Sequence, residues 1–159
     1  MPIDRSQDAP QRQRLEALVQ RLSDAELARP MPDGWTVAAV LAHLAFWDTR
    51  AALLVERWRR DGVGPSPVDV HIVNNAAKPQ WLALPPRAAA ELAVQAARAA
   101  DSALDAADGA LLRQIEAINE INLSRALHPP RTPRPNRARP RRLRAPRSAG
   151  LRRDPPPPG

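Results

Sequence analysis

Apolar residues at Val37, Leu41, Leu44, Ala51, Val55 and Trp58, joined by Val40, Trp47 and Leu54, return every three or four positions. That is the spacing of a helix burying a broad stripe. The Thr36 hydroxyl stands where an N-cap bonds an orphan N–H. Arg59 and Arg60 fall at the negative end, and Gly62 is placed to stop the helix. The pattern predicts a long helix over residues 36–60, entered by a Gly-Trp turn and free of proline. His43 lies on the flank of the stripe, one turn before Trp47. A lone histidine there is more often a hydrogen-bonded boundary residue than a ligand.

The remaining elements follow the same logic. Leu15, Leu18, Val19 and Leu22 share a face, which predicts a first helix over about residues 10–22. Ser23 and Glu26 have capping-box spacing, so a short extra turn should follow and end at Pro30 and Pro32. After turn chemistry at 61–67, a helical pattern resumes through Val70, Val73, Ala77 and Trp81, with a kink or break expected at Pro79. Pro85 and Pro86 suit the start of a helix over about 86–106, whose contact side would be Leu92, Ala96, Ala99, Ala103 and Leu104. A last helix is expected from Leu111 to His128, turning Leu112, Ile115, Ile118 and Asn122 inward. Four principal helices make an all-α four-helix bundle the predicted architecture.

Composition agrees with that class. Alanine and leucine dominate, glycine is scarce, and β-branched runs are absent. The chain of 159 residues suits one domain, with no cysteine, no signal-like N-terminus and no unbroken apolar run of membrane length. A cytoplasmic protein with no membrane association is expected.

Charge divides the chain. Residues 1–128 hold 14 Lys plus Arg against 16 Asp plus Glu, whereas residues 129–159 hold 10 against 1, together with 10 of the 19 prolines. Residues 1–128 are therefore expected to form the helical domain, and residues 129–159 a disordered basic Arg/Pro-rich tail.

The sequences PDGWTVAAVLAHLAFWDTR, HIVNNAAKPQW and INLSRALH resemble the DinB-like superfamily over roughly residues 10–128. They stand near the mycothiol-dependent maleylpyruvate isomerase N-terminal type, and the likeness is most specific at GWTV followed by LAHLAFWD. The resemblance implies a four-helix bundle in which a second-helix histidine and an HxxxH pair on the last helix hold a divalent metal such as zinc or nickel. It also implies, for some members, a low-molecular-weight thiol such as mycothiol in transferase, isomerase or hydrolase chemistry. By that resemblance His43 matches the second-helix ligand and His128 the first histidine of the pair. Three nitrogen donors leave an open position where a bound water or thiol loses its proton more readily.

The third ligand is missing. Thr132 stands four residues after His128, within a proline-rich run, and Pro129 disfavours a helical conformation at His128. Arginine, proline and alanine make up 23 of the 31 tail residues, as GC-rich DNA gives when read out of frame. Back-translating from His128 with permitted codons and removing one base after its codon reads HRREHLDRIE, which restores HxxxH. The tail is accordingly read as out of frame, and the metal site as impaired, leaving a weak or inactive enzyme.

Other readings compete with that one. A basic arm would bind nucleic acid only non-specifically, since the tail has no aromatic residue to stack on bases. A non-catalytic helical interaction protein, with a homodimer among its forms, is the second function class. Trp35, Trp47, Trp58 and Trp81 read as core packing, with Trp47 able to wall a pocket beside His43. Asn74, Asn75, Asn119 and Asn122 read as pocket lining or backbone partners. His71 matches no motif position, and Asp48 is poorly placed to share a face with His43.

Overall fold

A computed structural model describes residues 5–121 and Leu123. Among the described residues six α-helices follow one another: α1 (Asp8–Arg21), α2 (Asp24–Leu27), α3 (Val37–Asp61), α4 (Val70–Ala83), α5 (Pro86–Asp105) and α6 (Gly109–Ile118). The fold is all-α, as expected. The one sheet among the described residues is a two-residue antiparallel pair, β1 (Pro30–Met31) with β2 (Trp35–Thr36). It closes the turn that leads into α3.

The predicted caps form. Thr36 Oγ1 accepts the Ala39 amide at 3.1 Å, and Gly62 ends α3 with a φ of 88° that a side chain would strain. Ser23 and Glu26 make the reciprocal capping box. Asp69 and Asp108 cap α4 and α6 more simply, each carboxylate accepting the backbone amide of Ile72 or Leu111.

α3 is the central helix, and it packs mainly on α5. The buried side of α5 is Ala89, Ala90, Ala93, Ala96, Ala97 and Ala100, continued by Ala103 and Leu104. Methyl-sized side chains let two helix backbones approach closely; each contributes little apolar area, but the row is continuous. Around one half of α3 lie Val19, Leu27, Leu41, Ala42 and Trp81. Around the other half lie Val55, Trp58, Leu104, Ile115 and Leu123.

Arg87 fastens the end of α1 to α5. Its guanidinium donates to the carbonyls of Val19 and Leu22 at 2.9 and 2.6 Å and to Asp24 Oδ1 at 2.8 Å, satisfying acceptors left over where the helix stops. Further along the same seam, Arg12 bonds buried Asp101 at 2.7 Å, and Arg98 bonds Glu16 at 2.9 Å.

Several expectations are corrected. α4 runs unbroken through Pro79, because Pro79 and Asn75 are both exposed and water can take the hydrogen bond that proline removes. The last helix does not run to His128: it ends at Ile118, where Asn119 turns left-handed with a φ of 52°. Asparagine tolerates that conformation and so terminates the helix despite the apolar spacing beyond it. Leu18, Leu44, Val70, Leu92 and Ile118 are exposed rather than inward. On α5 the contact side is rotated onto the alanines, leaving Leu92 and Ala99 outside.

By length and composition α3 is also apolar enough to cross a bilayer, with an 18-residue window of mean hydropathy 1.4. Charged residues at Asp48 and Arg50 interrupt any unbroken apolar run in it. In this fold α3 is the core helix. His128, Asn122 and the tail 129–159 lie outside the described residues.

Candidate functional site

The site is built from α3, α4 and the turn before α3. His43 and Trp47, four residues apart, share a face of α3. Trp81 and Asn74 are two turns apart on α4. Trp35 is delivered by a tight turn in which Asp33 and Gly34 both have positive φ, 58° and 68°. For Asp33 that conformation is uncommon, and Lys78 of α4 supports it by donating to the Asp33 carbonyl.

These elements place three indoles around one imidazole. The ring centroid of His43 lies 5.0 Å from that of Trp81, 5.8 Å from Trp35 and 6.3 Å from Trp47, each pair close to perpendicular. Trp35 stacks on Trp81 at 6.0 Å, and Phe46 stands edge-on to both Trp47 and Trp81. The Lys78 ammonium lies 4.9 Å from the Trp35 ring centre, and the Arg50 guanidinium 5.8 Å from that of Trp47.

Polar contacts fix the walls. Trp47 Nε1 donates to Asn74 Oδ1 at 3.1 Å. Arg50 donates to the Ser66 carbonyl at 2.7 Å, to Ser66 Oγ at 3.2 Å and to the Glu120 carbonyl at 3.3 Å. It thereby ties the α3–α4 connection and the chain leaving α6 to the face of α3 that carries His43.

Within this aromatic setting, burial pushes the His43 imidazole below its ordinary value of 6.5, because a charged ring would lose its hydration there. Its Nδ1 is sealed from solvent with no hydrogen-bond partner. A neutral imidazole at physiological pH is the form that binds metal. Among the described residues no group of three His, Cys, Asp or Glu is gathered in ligand geometry. The geometry thus offers His43 as one nitrogen donor for a metal, without a complete set of three such ligands among the described residues.

Comparison with known proteins decides the family. The model of the DinB superfamily matches residues 8–145. The chain belongs to the DinB superfamily. No curated protein and no solved structure matches it. The DinB match begins with α1 and extends past Pro129, where the composition changes.

Of the sequence candidates in this DinB chain, His43 sits at the centre of the site. His128 is outside the described residues, and His71 is exposed on α4. Among the asparagines, Asn74 braces Trp47, Asn75 is exposed and Asn119 ends α6. Trp58 is core, as read, but Trp35 and Trp81 are site walls as well as packing residues. The sequence reading missed Lys78 and the convergence of Trp35 and Trp81 on His43. A Gly-Trp turn just before the histidine's helix was the available signal for Trp35; positions 78 and 81 carried none.

Proposed function

We propose that the protein is a DinB-type divalent-metal protein whose His43 is one ligand and whose His128 supplies another. The bound metal would activate a water or a small thiol of the mycothiol type for transferase, isomerase or hydrolase chemistry on a small molecule. The observation that carries this reading is the neutral, half-buried imidazole of His43, walled by Trp35, Trp47 and Trp81. In this reading the chain's own residues hold the ligand nitrogen in place and keep the ring deprotonated, while aromatic walls limit water. With Thr132 at the position of the third ligand, metal binding is weak and turnover correspondingly low. The reaction class proposed is that of the maleylpyruvate isomerase type, and a cytoplasmic location accords with a small-thiol partner.

Competition titration of metal-free protein with zinc and nickel tests the reading, using the wild type, His43→Ala, His128→Ala and a chain with the HxxxH frame restored. Weak binding that disappears in both alanine variants and tightens on frame restoration supports it. Tight stoichiometric binding by the wild type contradicts the impaired site. Equal binding by wild type and His43→Ala rejects the metal reading in favour of a non-catalytic helical protein. Sequencing the gene around codon 129 separately decides whether one base restores the frame.

A further inference from the structure

α3 and α5 run side by side in the same direction. Ala38, Ala42 and Ala45 of α3 share one core with Ala89, Ala93 and Ala96 of α5, and Ala52 and Val55 share the next with Ala100 and Leu104. Toward the ends of both helices, Glu56 and Arg59 meet Ala99, Ser102 and Ala106 at an open groove of about 210 Å³. Followed back from that groove at three-and-four spacing, α3 presents Leu53, Thr49 and Phe46, and α5 presents Gln95 and Leu92. All of these residues are exposed. Leu53 is 60% exposed, Leu92 43% and Phe46 39%, so three large apolar side chains stand in water on one two-helix face. Of the residues that make the face, only Glu56 and Arg59, at one end, are charged. Clustered apolar exposure of this kind marks an interaction surface, because covering it recovers the burial that solvent contact forfeits.

We propose that this α3–α5 face is a homodimer interface, covered in solution by the same face of a second copy. It supplies both halves of a self-complementary contact: Leu53, Leu92 and Phe46 are large, whereas Thr49, Ala99, Ser102 and Ala106 are small and leave recesses that receive such knobs. The face spans roughly 21 Å by 20 Å, so two copies bury about 1,000 Å² once the relief of the side chains is counted, the size of a weak and reversible interface. The basic tail is a poorer occupant. It would meet one carboxylate here, Glu56, with Arg59 beside it. The chain leaving α6 is moreover tied through the Glu120 carbonyl to Arg50, on the flank of α3 that carries His43. Nothing in this depends on whether a metal binds.

The test is sedimentation equilibrium of the full-length chain, with circular dichroism to show that each variant keeps its helices. The wild type is expected to dimerise with a Kd of about 10–100 μM. Leu53→Lys and Leu92→Lys change exposed positions, and each places two lysines in a two-fold interface, so each should weaken the dimer at least about tenfold. Ile72→Lys, at a position 65% exposed on α4, should leave the dimer intact. A wild type still monomeric at about 1 mM overturns the proposal and leaves the face to the tail or to another protein. So does a dimer that survives either face substitution in a folded chain. A dimer that Ile72→Lys weakens equally overturns it as well, since the association would then not be confined to this face.

Discussion

Trp47 and Asn74 join α3 to α4 by a 3.1 Å hydrogen bond from the indole Nε1 to Asn74 Oδ1. The residue one turn beyond His43 is thereby held by the residue two turns before Trp81, so both ends of the aromatic wall are referred to the same pair of helices. Asn74→Leu removes the acceptor and leaves a half-buried N–H without its partner. The expected loss is about 1 kcal/mol of folding stability, read by urea unfolding, with a change in tryptophan emission as Trp47 loosens.

A second prediction concerns Lys78, which contacts both the carbonyl of Asp33 and the face of Trp35. Lys78→Met keeps the aliphatic stem but loses the charge and the donor, and should cost about 1 kcal/mol. Lys78→Arg should recover part of it. Quenching of tryptophan fluorescence by acrylamide would report the Trp35 side directly; equal quenching in the wild type and Lys78→Met would count against the clamp.

These two contacts mark the limit of what the sequence discloses. The caps at Thr36 and Ser23 were legible because a cap and its amide lie within three residues of each other. The α3 stripe was legible because its period is local. Lys78 and Asp33 are 45 residues apart, and Arg12 and Asp101 are 89 apart, so nothing local announces either pair. Alanine hid the α5 interface for a different reason: a residue that is small on every face carries little periodic contrast, and the scattered leucines drew the reading to Leu92. Asn119 ended α6 through a left-handed turn that apolar spacing does not encode.

The pH dependence of stability follows from His43 and Glu16. Burial lowers the His43 pKa below 6.5, so the unfolded chain takes up the proton first as pH falls. Stability of the metal-free protein is full above the unfolded value and declines as pH falls from there through the folded one. Glu16 is held below its ordinary 4.5 chiefly by its hydrogen bond from Arg98, so its contribution is lost in a more acidic window beneath that value. Unfolding free energy measured against pH should show the upper decline in the wild type, and His43→Gln should lack it.

Arg87 offers a test of the α1–α5 seam. Arg87→Ala leaves the Val19 and Leu22 carbonyls and Asp24 without this partner, and the expected cost is about 1–3 kcal/mol. Lysine cannot reproduce the three-way fork, so Arg87→Lys should recover only part of the loss. Hydrogen exchange should place the change at the end of α1; a variant with wild-type stability would show that water serves these carbonyls as well.

Whether a metal meets His43 can be read from the ring nitrogens of that residue. Zinc added to the full chain labelled with nitrogen-15 at histidine should move the resonance of a His43 ring nitrogen, with saturation only at a large excess of metal. A zinc titration in which neither His43 nitrogen responds would contradict the proposed ligand.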